Sequence, residues 1–215
     1  MNIRRFIEST NLQTTITGND VDALIAEAKA LEVFGVCVPP FWVKRASREI
    51  GDADLSLVTV IGFPLGYQMT ETKVEEAKLA LRDGANELDV VMNVSAFKDG
   101  MPWPKIEFAK LSKLAHEYDA MLKVIIEVAY LTDEEIVRAA RLCSDAGVDF
   151  VKTSTGMVTN GGATVHHIKL LREVLPSSVG IKASGGIKTR KQAIQLIEAG
   201  ADRIGTSSAA QIVNG

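Results

Sequence analysis

The chain has 215 residues, 47% of them hydrophobic and 24% charged, which is the balance of an ordinary globular domain with a sizeable core. A formal net charge of −3 lacks the basic face that a nucleic acid or an anionic membrane requires, but it leaves room for a small anionic substrate in one local pocket. Cys37 and Cys143 form neither a disulfide framework nor a zinc motif, no run approaches the roughly 18 apolar residues of a membrane span, and the opening MNIRRFIEST is no signal peptide, so a soluble, cytoplasmic protein is expected.

In chain order, a strand is predicted near Phe6–Ser9 and a helix over Asp20–Leu31, with Leu24, Ala28 and Leu31 on one stripe. Strands follow at Phe34–Val38 and Leu55–Gly62, then a helix at Thr70–Arg82 and a strand at Glu87–Met92. The helix Lys105–Tyr118, strand Leu122–Val128, helix Thr132–Ala146 and strand Asp149–Ser154 come next. Helix Ala163–Leu175, strand Val179–Ala183, helix Thr189–Ala199 and strand Arg203–Thr206 close the chain. The strands are nearly continuous apolar runs, as expected of parallel strands covered by helices. Thr132 precedes Glu135 at capping-box spacing. Gly84, Gly147 and Gly200 each supply a helix stop.

Around those stops a phrase recurs: DGANELDV, AGVDFVKT and AGADRIGT. Repetition of one βα unit, with eight strands in all, predicts a single-domain (β/α)₈ TIM barrel spanning residues 1–215. An open doubly wound sheet would carry a glycine-rich dinucleotide turn after its first strand, and no G-x-G-x-x-G follows any strand here.

Two lysines stand inside runs that otherwise read as buried strand: Lys152 in DFVKTSTG and Lys182 in VGIKASGG. Buried lysine is rare unless paired or functional. Strand parity sends both side chains into the barrel if their neighbours face the helices. Being one βα repeat apart, they belong to adjacent strands. An ordinary lysine amine, with a pKa near ~10.4, is protonated at neutral pH and cannot attack a carbonyl. Desolvation and a neighbouring ammonium both lower that value, so Lys182 is placed to keep Lys152 uncharged and nucleophilic. Asp89, in NELDVVMN, interrupts a third apolar run as a candidate to hold a water or shuttle a proton. Lys123 and Glu127 share a strand face and read as a buried salt bridge bracing the site.

The last third offers an anion site. Ser184, Gly185 and Gly186 follow the seventh strand, Gly205, Thr206, Ser207 and Ser208 end the eighth, and Gly156 follows the sixth. Barrels often bind phosphate in these last loops through backbone N–H groups. His116 sits late in a helix, and His166 and His167 are adjacent, so no metal ligand set is expected. Cys37 reads as a small core residue, and Trp42 and Trp103 as packing residues.

Taken together, ELDVV, KVIIE, FVKTSTG, GIKASGGI and the final GTSS resemble the deoxyribose-phosphate aldolase family, in order and over nearly the whole chain. The resemblance implies reversible cleavage of 2-deoxy-D-ribose 5-phosphate to D-glyceraldehyde 3-phosphate and acetaldehyde, without cofactor or metal. It implies that Lys152 is the Schiff-base lysine, that Lys182 perturbs it and that Asp89 belongs to the proton relay. The phosphate contacts carry over onto Gly156, Gly185, Gly186, Gly205, Ser207 and Ser208, and a cytoplasmic homodimer or homotetramer is implied. The family's first strand often reads I-D-H-T-L-L-K-P, whereas here it runs from Ile7 through Glu8, Ser9, Thr10, Asn11, Leu12 and Gln13 to Thr14, keeping the acid and replacing His and Lys. Met157 stands where some members have lysine, which shifts the expected phosphate contacts toward backbone amides and Lys188. Two alternatives fit a lysine pair: a Schiff-base lyase for another sugar or a keto acid, and a non-catalytic barrel that binds a sugar phosphate.

Overall fold

In the computed structural model, which describes residues 2–215, eight parallel strands close on one another in sequence order. They are β1 (Ile7–Thr10), β2 (Gly35–Val38), β3 (Ser56–Ile61), β4 (Glu87–Val91), β5 (Met121–Ile125), β6 (Phe150–Lys152), β7 (Gly180–Ser184) and β8 (Arg203–Thr206). Closure is made by β1 pairing with β8, Glu8 opposite Gly205. The helices are α1 (Gly18–Leu31), α2 (Val43–Ile50), α3 (Thr70–Arg82), α4 (Val94–Lys98), α5 (Trp103–Glu117), α6 (Asp133–Asp145), α7 (Val165–Val174), α8 (Arg190–Glu198) and α9 (Ala209–Asn214). No helix among the described residues is long and apolar enough to cross a membrane.

Local chemistry explains many of the helix boundaries. Capping boxes start α1 at Thr17 and Asp20, α6 at Thr132 and Glu135, and α8 at Thr189 and Gln192, each satisfying two otherwise orphaned N–H groups. Helix α2 goes beyond the sequence expectation. It is only two turns long and follows a Pro-Pro pair and a 3₁₀ turn, so it lacks the stretch over which periodicity becomes legible. Strand β5 stops at Ile125, short of the expected Val128, because Glu127 turns into the left-handed region before a 3₁₀ turn at Val128–Tyr130.

The main apolar core lies between the sheet and the helices, drawing on residues such as Val36, Leu88, Val124, Val151, Ile181 and Ile204. Burying each such side chain is worth about 1.5–3 kcal/mol. A second, small cluster of Cys37, Val58 and Val60 is packed by Leu12 and Phe63. Barrel interiors are usually filled by bulky aliphatics. Here Glu8, Glu87, Asp89, Lys123, Lys152 and Lys182 are all buried as well, and they bond to one another. Trp42 packs partly against the core, whereas Trp103, expected as a packing residue, is 58% exposed at the start of α5.

Candidate active site

Lys152 is the last residue of β6 and Lys182 the middle residue of β7, and the two are direct register partners. Both reach the same acceptor: Lys152 Nζ donates to Asp89 Oδ2 at 2.7 Å and Lys182 Nζ to the same oxygen at 2.6 Å. The two amines are therefore no farther apart than two hydrogen-bond lengths. Asp89, on β4, also accepts from Lys123 Nζ through Oδ1 at 2.9 Å. Lys182 donates in addition to Glu8 of β1, and Lys123 is ion-paired with Glu87 of β4. The result is an alternating network of three lysine and three carboxylate side chains shut away from solvent.

Electrostatics separate the two lysines. Burial pushes Lys152 below the ordinary lysine value; Asp89 opposes this and Lys182 reinforces it. Burial pulls on Lys182 in the same way, but the carboxylates of Asp89 and Glu8 outweigh it and push Lys182 up. Lys123 is pushed up too, the attraction of Asp89, Glu8 and Glu87 exceeding its desolvation. For Asp89, burial favours the neutral acid, yet the ammonium groups of Lys123, Lys152 and Lys182 together hold its carboxyl well below the usual carboxylate range. One amine is thus biased toward the free base beside another biased toward the cation, which is the arrangement that activates a lysine nucleophile.

Above Lys152 a cavity of about 330 Å³ opens at the carboxyl ends of the strands, the face on which barrel enzymes carry their chemistry. Gly156, Gly185, Gly186, Lys188, Gly205 and Ser207 all line it. Ser208 stands one residue beyond the lining, and its amide N–H donates to Thr206 Oγ1 at 2.9 Å. Lys182 and Asp89 lie in the floor below, fully buried. Two glycines are dictated by the packing. A Cβ on Gly185, at φ +88°, would come within 2.9 Å of the Gly162 Cα, and one on Gly205 would sit 3.0 Å from Cε of Lys182.

Some residues depart from expectation. Lys123 and Glu127 make no salt bridge with each other. Lys123 serves Asp89, Glu87 and Glu8, while Glu127 accepts from the backbone N–H and hydroxyl of Thr155. Sequence reasoning did not assign Glu8 and Glu87 to the cluster. Glu87 and Asp89 are two apart on one strand, so their shared face was legible by parity. The site contribution of β1 includes Ser9 through Gln13 as cavity lining as well as Glu8 below it. Cys37 faces this cluster, and burial pushes its thiol up to about 11. His116 and His166 lie outside the cavity, paired with Asp149 and Asp133.

A closed (β/α)₈ barrel with a lysine at the base of its carboxyl-end cavity has the build of a barrel enzyme. The chain belongs to the DeoC/LacD family of aldolases, whose family model matches residues 7–213. It is 50% identical over 216 residues to a protein named deoxyribose-phosphate aldolase from Thermococcus kodakarensis, covering 99% of this chain and 96% of that one. It is 47% identical to one of the same name from Bacillus mycoides, covering 99% and 95%. Among solved structures, an aldolase designated QR15 superposes with a TM-score of 0.94 at 40% identity, covering 100% of this chain and 95% of that one. The deoxyribose phosphate aldolase of Aeropyrum pernix, described as having a unique tetrameric structure, superposes with a TM-score of 0.92 at 35% identity, covering 99% and 89%.

Proposed function

We propose that the protein is a class I aldolase that reversibly cleaves 2-deoxy-D-ribose 5-phosphate into D-glyceraldehyde 3-phosphate and acetaldehyde, with Lys152 as the Schiff-base residue. The observation that carries this reading is the sharing of one Asp89 oxygen by Lys152 and Lys182 beneath a cavity at the catalytic end of the barrel.

In the synthetic direction the uncharged Nζ of Lys152 attacks the carbonyl carbon of acetaldehyde. The resulting hydroxyl takes a proton from solvent in the cavity and leaves as water, and the iminium so formed serves as an electron sink. The iminium nitrogen keeps a single hydrogen, so its claim on Asp89 weakens and Asp89, with Lys182, holds a water. As that water passes one of its protons to Asp89 it takes another from the methyl carbon, and an enamine forms. The enamine carbon adds to the aldehyde of glyceraldehyde 3-phosphate, and hydrolysis frees the sugar phosphate and Lys152. The phosphate is assigned to the turns of Gly156, Gly185, Gly186, Gly205, Ser207 and Ser208, where backbone N–H groups can approach an anion closely, with Lys188 adding a charge at the rim.

Borohydride trapping with acetaldehyde followed by peptide mapping tests the assignment. The label is expected on Lys152 alone, and Lys152→Ala is expected to abolish both labelling and aldehyde release from deoxyribose 5-phosphate. A label on another lysine would overturn the assignment.

The protein is proposed to work in the cytoplasm as a homo-oligomer acting as one aldolase domain over residues 1–215. Large apolar side chains stand exposed after three consecutive strands: Phe41 after β2, Leu65, Tyr67 and Met69 after β3, and, past α4, Met101 and Trp103 at the start of α5. Exposed large apolar side chains on these loops support a protein contact there, and a second copy of this chain is the assigned occupant, in keeping with the tetrameric relative from Aeropyrum pernix.

A further inference from the structure

One buried carboxylate beside the cavity belongs to no ion pair among the described residues. Glu127 lies just beyond β5 at φ 52° and ψ 73°, a left-handed conformation that costs a non-glycine residue of order 1–3 kcal/mol and needs the surrounding structure to hold it. Its Oε2 accepts the backbone N–H of Thr155 at 3.0 Å and also the Thr155 hydroxyl. Its Oε1 is buried without a hydrogen-bond partner. Thr155 in turn lines the same cavity as Lys152, and its Oγ1 accepts the Met157 N–H at 3.1 Å. A hydroxyl has one proton and two lone pairs. With the proton committed to Glu127 and one lone pair to Met157, the remaining lone pair is an acceptor for a donor in the cavity.

The reaction of the preceding section, on which this inference rests, moves two protons. One sits on the carbon next to the iminium and falls to the water on Asp89 and Lys182. The other sits on the hydroxyl of substrate carbon 3, one carbon farther from Lys152. Asp89 already accepts from Lys123, Lys152 and Lys182, and Lys182, pushed up by Asp89 and Glu8 against its burial, keeps its own proton. A base on the Thr155 side of the cavity takes the carbon 3 proton without breaking any of these bonds.

We propose that Thr155 is the group that takes the proton of the carbon 3 hydroxyl, with Glu127 receiving Thr155's own proton behind it. In cleavage the O–H bond on carbon 3 breaks and its proton goes to Thr155 Oγ1, as the Thr155 proton passes to Glu127 Oε2. The electron pair left on that oxygen forms the carbonyl of the departing aldehyde. The carbon 2–carbon 3 bond breaks, and its pair moves onto carbon 2 as the enamine, the iminium nitrogen being the sink. Synthesis runs the same protons back, and nothing is oxidised or reduced. Thr155 touches the reacting hydroxyl, and Glu127 acts only through it.

Two near-isosteric variants test this: Glu127→Gln, which keeps an acceptor for Thr155 but takes no proton, and Thr155→Val, which removes the hydroxyl. Each is expected to lower kcat for cleavage of deoxyribose 5-phosphate by at least about 100-fold, the lower end of what a positioned acid–base group contributes, with KM little changed. Thr155→Ser is expected to restore cleavage. Exchange of the acetaldehyde methyl hydrogens with heavy water involves Lys152 and the carbon proton only, so it is expected to continue at the wild-type rate in all three, which also reports that the fold and the nucleophile are intact. Wild-type cleavage in either Glu127→Gln or Thr155→Val overturns the proposal, as does loss of exchange together with cleavage. A wild-type protein that neither exchanges acetaldehyde hydrogens nor cleaves the sugar phosphate would overturn the aldolase reading itself.

Discussion

At the scale of single residues, the site depends on the difference between two lysines with nearly the same surroundings. Lys152 is lowered first by burial and then by the Lys182 ammonium, so replacing Lys182 by Met removes a charge that favours the free base. It also releases Asp89 and Glu8 to attract charge onto Lys152, and both changes act upward. The midpoint of borohydride inactivation against pH is therefore expected to move to higher pH in Lys182→Met, with trapping at neutral pH slowed. An unchanged midpoint would refute the role given to Lys182. Asp89 makes the complementary prediction for stability. Its folded-state pKa is depressed, so its contribution is fully present above the ordinary carboxylate pKa and lost as pH falls through the folded value. Asp89→Asn leaves the buried lysine cluster short of an anion and is expected to cost about 3–5 kcal/mol at neutral pH. The loss should shrink in strong acid, as read from denaturant midpoints across pH.

At the scale of elements, strand parity made much of the site legible. Lys152, Lys182 and Asp89 stand out because each interrupts an apolar run, and alternation alone points them inward. The limits of that reading are also physical. Glu8 and Lys182 are distant in sequence and meet only because β1 closes the barrel near β7, a relation no local pattern contains. Lys123 and Glu127 look like same-face neighbours at even spacing, but β5 ends between them and the left-handed turn at Glu127 sends its carboxylate to the β6 loop instead. The loop ends make a prediction of their own. Gly185→Ala would force a Cβ to 2.9 Å from the Gly162 Cα at a positive φ, and the expected cost is about 1–3 kcal/mol. KM is expected to rise for phosphorylated substrate while acetaldehyde trapping on Lys152 is spared, because the shift falls at the end of the cavity proposed for the phosphate. Equal loss of both would argue against a phosphate cradle in these turns.

At the scale of the whole molecule, closure of the sheet leaves no strand edge to pair with another chain, so self-association has to use side chains. Sedimentation of the wild type is expected to give more than one copy per particle, and Phe41→Lys combined with Trp103→Glu is expected to shift it toward the monomer with the barrel still folded. A double variant that sediments as the wild type would place the contact elsewhere. The balanced interior has a further consequence. With Lys152 in its reactive, uncharged form, Glu8, Glu87 and Asp89 outnumber the cations by one, and that surplus negative charge sits where water cannot screen it. Attachment of an aldehyde converts the odd nitrogen back into a cation and cancels the surplus. The covalent intermediate is in this sense the more comfortable state of the barrel, so the free enzyme is the species predisposed to react, and aldehyde-loaded protein should melt at a higher temperature than protein alone.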